Sequence, residues 1–273
     1  MFPADYHLHT PLCHHATGDP MAYARAARAA GLDEIGFSDH NPSPTLRDDW
    51  RMGMGDLPRY LDMVAEAMEQ SPAENGPVVR LGMECDWLPG ERGWLESLAT
   101  LAPWDYFIGS VHYITPDWDV DNPKWIGRIT AHGVEETWKM YWSAYADAVR
   151  SGLFDIMGHP DLVKKFGHRP AGDLRRYYDP VILALVDANV AIELNTAGWR
   201  KDCAEQYPAR GFLELAALAG VPLVISSDAH APEETGHRFA GAAVVASESG
   251  FTRVARFANR QRTLHPLRVP AQS

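Results

Sequence analysis

The chain has 273 residues, 46% of them hydrophobic, which is enough for one large buried core and close to the usual size of a single α/β barrel. Its formal net charge of −11 repels nucleic acid, but bound cations could still attract a small anionic substrate into a pocket. No segment has the roughly 20 consecutive apolar residues of a membrane-spanning helix, no signal-type run follows Met1, and the three cysteines lack CxxC spacing. We therefore expect one cytoplasmic domain over residues 1–273 that binds neither nucleic acid nor membranes.

Short apolar runs alternate along the chain with segments of helical periodicity, which is typical of parallel βα units. The predicted strands are Ala4–His7, Glu34–Ser38, Val78–Met83, Tyr106–Val111, Phe154–Gly158, Val190–Leu194 and Pro222–Ser226. The predicted helices include Pro20–Ala30, Asp56–Gln70, Gly133–Ser151, Pro180–Ala188 and Ala209–Ala219. Glycines that can end a helix follow several of them, namely Gly31, Gly152 and Gly220. The pattern predicts a TIM-like (β/α)7 barrel of the α/β class.

Two segments do not fit the βα pattern. Residues 41–55 are rich in proline and glycine, and we expect them to form a long loop above the active-site face after the second strand. Residues 251–273 give no clear periodicity, and their structure is left open.

The residues at or just past the predicted strand ends are nearly all of metal-binding types. They are His7, His9, His40, Glu84, His112, His159, Asp228 and His230. Because parallel strands of a barrel point the same way, their carboxyl ends converge on one face, and these side chains should meet in one pocket. A single histidine at a strand end usually has a packing role, whereas the complete set indicates a hydrolytic metal site.

The spacing within the motifs supports a shared cluster. His7 and His9, like Asp228 and His230, are two residues apart, so both members of each pair lie on one face of an extended segment. Nitrogen and carboxylate ligands without thiolate suit Zn, Fe or Mn as divalent ions. The residues alone do not distinguish His14 from His15 as a further ligand. Asp39 could be a ligand or a hydrogen-bond acceptor for one.

The motifs His7-x-His9, Ser38-Asp39-His40, Gly82-Met83-Glu84, Ser110-Val111-His112, Gly158-His159-Pro160-Asp161 and Ser227-Asp228-Ala229-His230 occur in an order that resembles the polymerase and histidinol phosphatase (PHP) superfamily. The stretches 159–166, 193–198 and 226–230 look like its monofunctional histidinol-phosphate phosphatases. The resemblance covers almost the whole chain and implies a distorted (β/α)7 barrel.

The resemblance also implies three metal ions and selects His15 over His14. One metal would take His7, His9, Glu84 and Asp228; a second Glu84, His112 and His159; a third His15, His40 and His230. Glu84 would bridge two metals, which makes it, with Asp228 and His230, the implied catalytic group. A water activated by the metals to hydroxide would then attack phosphorus in L-histidinol phosphate and release L-histidinol and phosphate.

Phosphate recognition is less clear from the sequence. The superfamily often has an arginine in the basic pair that here reads Lys164-Lys165, and lysine neutralises phosphate without the forked geometry of arginine. Arg169, Arg200 or Arg51 could supply that fork, although each could equally lie on the solvated surface. The oligomeric state is not predicted.

Two alternatives to a histidinol-phosphate phosphatase remain. The chain could be a PHP-type phosphoesterase that acts on nucleoside phosphates or on another phosphomonoester or diester. It could also be a non-catalytic metal-binding module, which is disfavoured because all nine implied ligand positions are filled.

Overall fold

The structure is a computed structural model that describes residues 4–45 and 48–269. The strands are β1 (Asp5–Leu8), β2 (Glu34–Phe37), β3 (Val78–Asp86), β4 (Tyr106–Ser110), β5 (Tyr113–Thr115), β6 (Trp118–Asp119), β7 (Ile156–Met157), β8 (Ala191–Asn195), β9 (Leu223–Ser226), β10 (Arg253–Ala258) and β11 (Gln261–Pro266). The helices are α1 (Pro20–Ala29), α2 (Leu57–Ala73), α3 (Arg92–Leu98), α4 (Ile126–His132), α5 (Val134–Arg150), α6 (Arg175–Ala188), α7 (Arg210–Leu218) and α8 (Phe239–Glu248).

Seven strands form one parallel sheet in the order β1-β2-β3-β4-β7-β8-β9. The sheet curls until its two edges meet, where Leu8 bridges Ala229 and the amide of His9 donates to the carbonyl of Ala229 at 3.0 Å. Both bridging side chains are fully buried in the core. The predicted TIM-like (β/α)7 barrel is confirmed.

Helix ends follow the sequence closely. Gly31, Gly152 and Gly220 have φ values of +76°, +72° and +74°, a left-handed conformation that glycine adopts without strain. Three predicted boundaries were wrong by three residues or more. The strand β3 and the helix α2 continue to Asp86 and Ala73, three residues past their predicted ends, and α6 begins five residues before Pro180 and carries that proline in its second turn. The missing N–H of proline costs one helical hydrogen bond, and the buried Tyr177 and Tyr178 on the preceding turn offset it.

The segment whose structure the sequence left open forms an antiparallel hairpin, β10–β11, across the amino-terminal end of the barrel. Phe257 packs edge-on against Tyr6 inside the barrel, and its amide donates to the Tyr6 hydroxyl at 3.1 Å. Arg256 on the same strand pairs with Asp33 at 2.7 Å. The hairpin therefore closes the end of the barrel opposite the predicted metal ligands.

Two small insertions complete the carboxyl-terminal face. The β5–β6 hairpin follows β4, and the loop after β2 has neither helix nor strand from Asn41 to Thr45 or from Asp48 until α2 begins, as predicted for residues 41–55. Residues 46–47 of that loop lie outside the described part of the chain. Over residues 4–45 and 48–269, no helix is both long and apolar enough to cross a membrane.

The glycines facing Tyr106 make room for a buried aromatic ring. Tyr106 is fully buried and its hydroxyl donates to the carbonyl of Tyr6 at 2.7 Å, while a Cβ added at Gly82 would overlap the ring.

We expect Gly82→Ala to lower the free energy of unfolding by about 1 to 3 kcal/mol, because the ring is enclosed and cannot move aside. Chemical denaturation measures the change. The control is Gly211→Ala on α7, where the new methyl meets nothing within 4 Å and stability should be unchanged or slightly higher; equal stability of the two variants would contradict the packing argument.

Candidate metal centre

Glu84 lies at the centre of the predicted ligand set. The strand β3 carries its side chain inward, where it is 1% exposed. One carboxylate oxygen, Oε2, lies 2.8 Å from His40 Nδ1, 3.2 Å from His7 Nε2 and 3.7 Å from His9 Nε2. The other oxygen, Oε1, faces His159 Nε2 at 2.9 Å and His112 Nε2 at 3.6 Å. The two oxygens thus address two separate groups of imidazoles.

The remaining ligand candidates extend this cluster. Asp228 Oδ1 lies 3.3 Å from His9 Nε2 and 3.8 Å from His7 Nε2. The rings of His15 and His230 have centroids 4.4 Å apart. Among the described residues, five groups have donor atoms that all lie within 4.8 Å of one another, and two of them fall within a single implied ligand set: His7, His9 and Asp228, and His15, His40 and His230. The others combine residues of different sets or include Cys13: His7, Glu84 and His159; His9, His40 and Glu84; and His9, Cys13 and His230.

The side chains of His14 and His15, the two histidines that the residues alone did not distinguish, lie in different surroundings. His15 joins the imidazole cluster, and its Nδ1 lies 2.7 Å from the carbonyl oxygen of Cys13. His14 has a left-handed backbone with a φ of +66° and belongs to none of the groups of close donor atoms among the described residues. The buried Cys13 also comes close to His9 and His230, which the sequence did not indicate.

The donor chemistry of the cluster fits divalent cations. Several of its inward-facing atoms lack a hydrogen-bond partner among the described residues: His7 Nε2, His9 Nε2, His40 Nδ1, Glu84 Oε2 and His230 Nε2. Burial lowers the pKa of His40 to about 4, with the nearby His9 and His112 acting in the same direction, so that imidazole keeps its lone pair free. Burial would raise the pKa of Glu84, but the neighbouring histidines outweigh it and hold that pKa well below its usual range. Burial would lower the pKa of His7 and His9, but the neighbouring carboxylates outweigh it and raise both pKa values well above their usual range. A metal ion would displace those protons, because it binds ionised carboxylates and neutral imidazoles.

An outer layer of carboxylates orients the histidines. Glu193 accepts from His7 Nδ1 at 2.7 Å, and Asp86 accepts from His112 Nδ1 at 2.8 Å. Asp39 lies 3.5 Å from His9 Nδ1 and accepts from the amide of His40 at 2.8 Å. Such contacts fix which ring nitrogen carries the proton and leave the other for a metal. Two roles were left open for Asp39, metal ligand or hydrogen-bond acceptor, and this geometry matches the acceptor.

The cluster opens into a cavity of about 420 Å³, a volume typical of small-molecule sites. Arg200, Lys165 and Lys201 supply positive charge to its walls, and Asp119 and Asp121 supply negative charge on the β5–β6 side. Of the basic residues predicted to contact phosphate, Lys165 and Arg200 therefore border the cavity.

The other three predicted phosphate contacts are not supported by the structure. Lys164 is fully buried, and its ammonium group lies 2.8 Å from Glu205 and 3.0 Å from Asp161. Arg169 pairs with the same Glu205 at 2.5 Å. Arg51 turns away from the cavity toward Asp86 at 2.8 Å. Each of these three basic side chains pairs with a carboxylate that is distant in the sequence or lies in another element. The local sequence motif could not show such a partner.

Several site residues were missed from the sequence. Asp86 follows Glu84 by two positions, so the alternation of a strand would have placed it on the same face. Glu193 begins one of the stretches already matched to the superfamily and could have been recognised there. Asp119 lies on a strand of two residues, too short to produce a periodic signal.

Comparison with known proteins agrees with this geometry. The PHP domain family model matches residues 5–197. A probable histidinol-phosphatase of Deinococcus radiodurans is 44% identical over 87% of this chain and 90% of its own, and a histidinol-phosphatase of Bacillus subtilis is 28% identical over 86% and 96%. The crystal structure of histidinol phosphate phosphatase from Lactococcus lactis, complexed with zinc, L-histidinol and phosphate, superimposes with a TM-score of 0.80 at 22% identity, covering 96% of this chain and 98% of the other. The chain belongs to the PHP domain family.

Proposed function

We propose that the chain is a metal-dependent phosphomonoesterase that hydrolyses L-histidinol phosphate to L-histidinol and phosphate, a step of histidine biosynthesis. The observation that carries the proposal is a buried cluster of imidazoles and carboxylates at one end of the barrel, open to a cavity with charges of both signs. The relatives from Deinococcus radiodurans and Bacillus subtilis, which align over most of their length, carry the names of such enzymes.

The proposed metal ligands are the nine residues implied by the sequence: His7, His9, His15, His40, Glu84, His112, His159, Asp228 and His230. We propose three ions per chain, with zinc, iron or manganese as candidates. The group of His15, His40 and His230, which shares no residue with the other two implied ligand sets, supports one separate site, and the Lactococcus lactis enzyme was crystallised with zinc. Bound ions would supply an activated water at neutral pH and offset the charge of the phosphate.

The basic residues at the cavity wall would hold the phosphate. Arg200 donates through Nη2 to the carbonyl oxygens of Ser227 and Asp228 at 3.2 and 3.1 Å, so its guanidinium is fixed beside the ligand loop. Its Nη1 has no hydrogen-bond partner among the described residues and remains available to an anion. Lys165, anchored to Asp121 at 2.6 Å, adds a second positive charge. Together they would neutralise phosphoryl oxygens and hold the ester in place.

The opposite wall suits the cationic part of the substrate. Asp119 is 4% exposed and forms no ion pair within the described part of the chain, although it borders the cavity. Burial and the charge of the nearby Asp121 raise its pKa to about 7, and the Asp121 amide, which donates to Asp119 at 2.8 Å, compensates the ionised form only in part. A ligand ammonium or imidazolium would supply that compensation. The cavity would thus bind phosphate at one wall and a positive charge at the other.

A substrate comparison tests the proposed activity. We expect kcat/KM for L-histidinol phosphate to exceed that for p-nitrophenyl phosphate and for nucleoside monophosphates by well over about tenfold, because only the first carries both a phosphate and an amine cation that could pair with Asp119. Phosphate release and metal content would be measured on the same preparation. A flat profile would contradict the substrate, a preference for nucleotides would favour the other phosphoesterase reading, and bound metal without turnover would favour a binding module.

Glu84→Gln is expected to lower kcat by several orders of magnitude and to reduce metal content. The amide retains the shape of the side chain but loses the charge and one of the two lone-pair-bearing oxygens that face the imidazole groups. Turnover and metal per chain are measured together, with Glu96→Gln on the exposed face of α3 as the control. Wild-type activity with a full metal content in Glu84→Gln would contradict the bridging role.

Asp119→Asn is expected to lower kcat/KM for L-histidinol phosphate by roughly 10- to 100-fold, because a charge-assisted contact to the substrate cation is lost. Hydrolysis of p-nitrophenyl phosphate, which has no cationic group, should change little. Asp117→Asn, in the exposed turn of the same hairpin, is the control. Equal losses on both substrates would assign Asp119 a general structural role instead.

A further inference from the structure

Arg51 belongs to the loop that follows β2, and its residue surface is 6% exposed. Its guanidinium joins two carboxylates, Asp48 in the same loop through Nε at 2.7 Å and Asp86 at the end of β3 through Nη2 at 2.8 Å. Its Nη1 also donates to the carbonyl oxygen of Asn41 at 3.0 Å. Both carboxylates are almost fully enclosed, so these contacts are shielded from competing water.

Asp86 connects Arg51 to His112, a proposed metal ligand. Its Oδ2 is held by Arg51, its Oδ1 accepts from His112 Nδ1 at 2.8 Å, and its amide donates to the side-chain oxygen of Asn41 at 3.0 Å. With the proton on Nδ1, His112 directs the lone pair of Nε2 toward Glu84. The orientation of the imidazole therefore depends on a carboxylate that has little freedom to rotate.

The corresponding contact of His7 is built differently. Glu193 accepts from His7 Nδ1 through one oxygen, and through the other it accepts from two neutral groups, the amide of His159 at 2.6 Å and the side chain of Asn195 at 3.0 Å. These partners belong to the barrel itself. The Asp86 to His112 contact instead relies on a cation supplied by a loop outside the barrel.

The same loop reaches the cavity. Trp50 borders it and meets the ring of His112 edge-on, with centroids 5.2 Å apart, while the Arg51 guanidinium lies 4.3 Å from the centroid of the indole. Arg51 thus contacts the loop, the indole and the carboxylate that orients His112.

We propose that Arg51 is a positioning residue that fixes His112 through Asp86 and thereby sets how tightly the His112 side of the cluster holds its metal. This inference rests on the proposed function, because it requires His112 to be a metal ligand. It assigns the loop after β2 a part in metal retention in addition to covering the site.

Chelator titration of the zinc-loaded full-length protein tests the proposal. We expect Arg51→Met to release its first equivalent of zinc at an EDTA concentration roughly 10- to 100-fold below that needed for the wild type, the usual effect of losing a contact behind a metal ligand. Arg51→Lys should be intermediate, because lysine keeps the charge beside Asp86 but cannot form the fork. Excess zinc should restore kcat in both variants with KM near the wild-type value.

Asp48→Asn is the matched control, because it weakens the loop arm of Arg51 and leaves the Asp86 arm intact; its zinc retention should match the wild type. His112→Ala should lose about one equivalent of zinc. If His112→Ala loses zinc, two results would overturn the positioning role of Arg51. One is zinc retention at the wild-type level in both Arg51 variants, and the other is an equal loss of zinc in Asp48→Asn and Arg51→Met. Full retention in His112→Ala would instead overturn the proposed metal site, and the inference with it. If Arg51→Met does not fold, the comparison of Arg51→Lys with Asp48→Asn decides.

Discussion

The burial of the Glu84 carboxylate among imidazoles is the constraint on which the rest of the site depends. A charged group that is 1% exposed is costly unless it is compensated. One oxygen of Glu84 is bonded to His159 Nε2 and accepts from Ser110 Oγ, but the other oxygen and several nitrogen atoms around it have no hydrogen-bond partner among the described residues. The barrel therefore holds its ligands in an arrangement that is unfavourable for the protein alone. Metal binding relieves it, so the same free energy that assembles the site would add to the stability of the fold.

This constraint explains why the histidines are supported from behind by carboxylates. Glu193 and Asp86 are themselves buried and are stabilised in turn, one by groups of the barrel and the other by Arg51. Opposite charges alternate outward from the cluster. On the proposed function, the chain, which is acidic overall, would in this way present a cavity that accepts an anionic phosphate at one wall and a cation near Asp119 at the other.

The barrel and the clustering of the candidate ligands were largely predictable because both depend on regular features: alternating βα units, and residues at strand ends that must converge. Residues with partners distant in sequence were not predictable in the same way. Lys164 and Arg51 stand near the right motifs, yet Glu205 and Asp86 hold them away from the cavity. The hairpin formed by β10 and β11 also escaped prediction, since Phe257 is buried only because it enters an existing barrel.

That hairpin has a consequence for how the chain folds. The contact of Phe257 with Tyr6 joins residues 251 positions apart, and the hydrogen bond from Ser227 to Asp5 closes the barrel over 222 positions. The strand β1 cannot be enclosed until β9 and β10 have been synthesised, because β9 is its neighbour where the barrel closes and β10 covers it at the amino-terminal end of the barrel. Contacts between residues so far apart in the sequence make folding slow. Until they form, the apolar interior of the incomplete barrel stays exposed while translation continues. The arrangement that seals the finished molecule is thus also what exposes it to aggregation during synthesis.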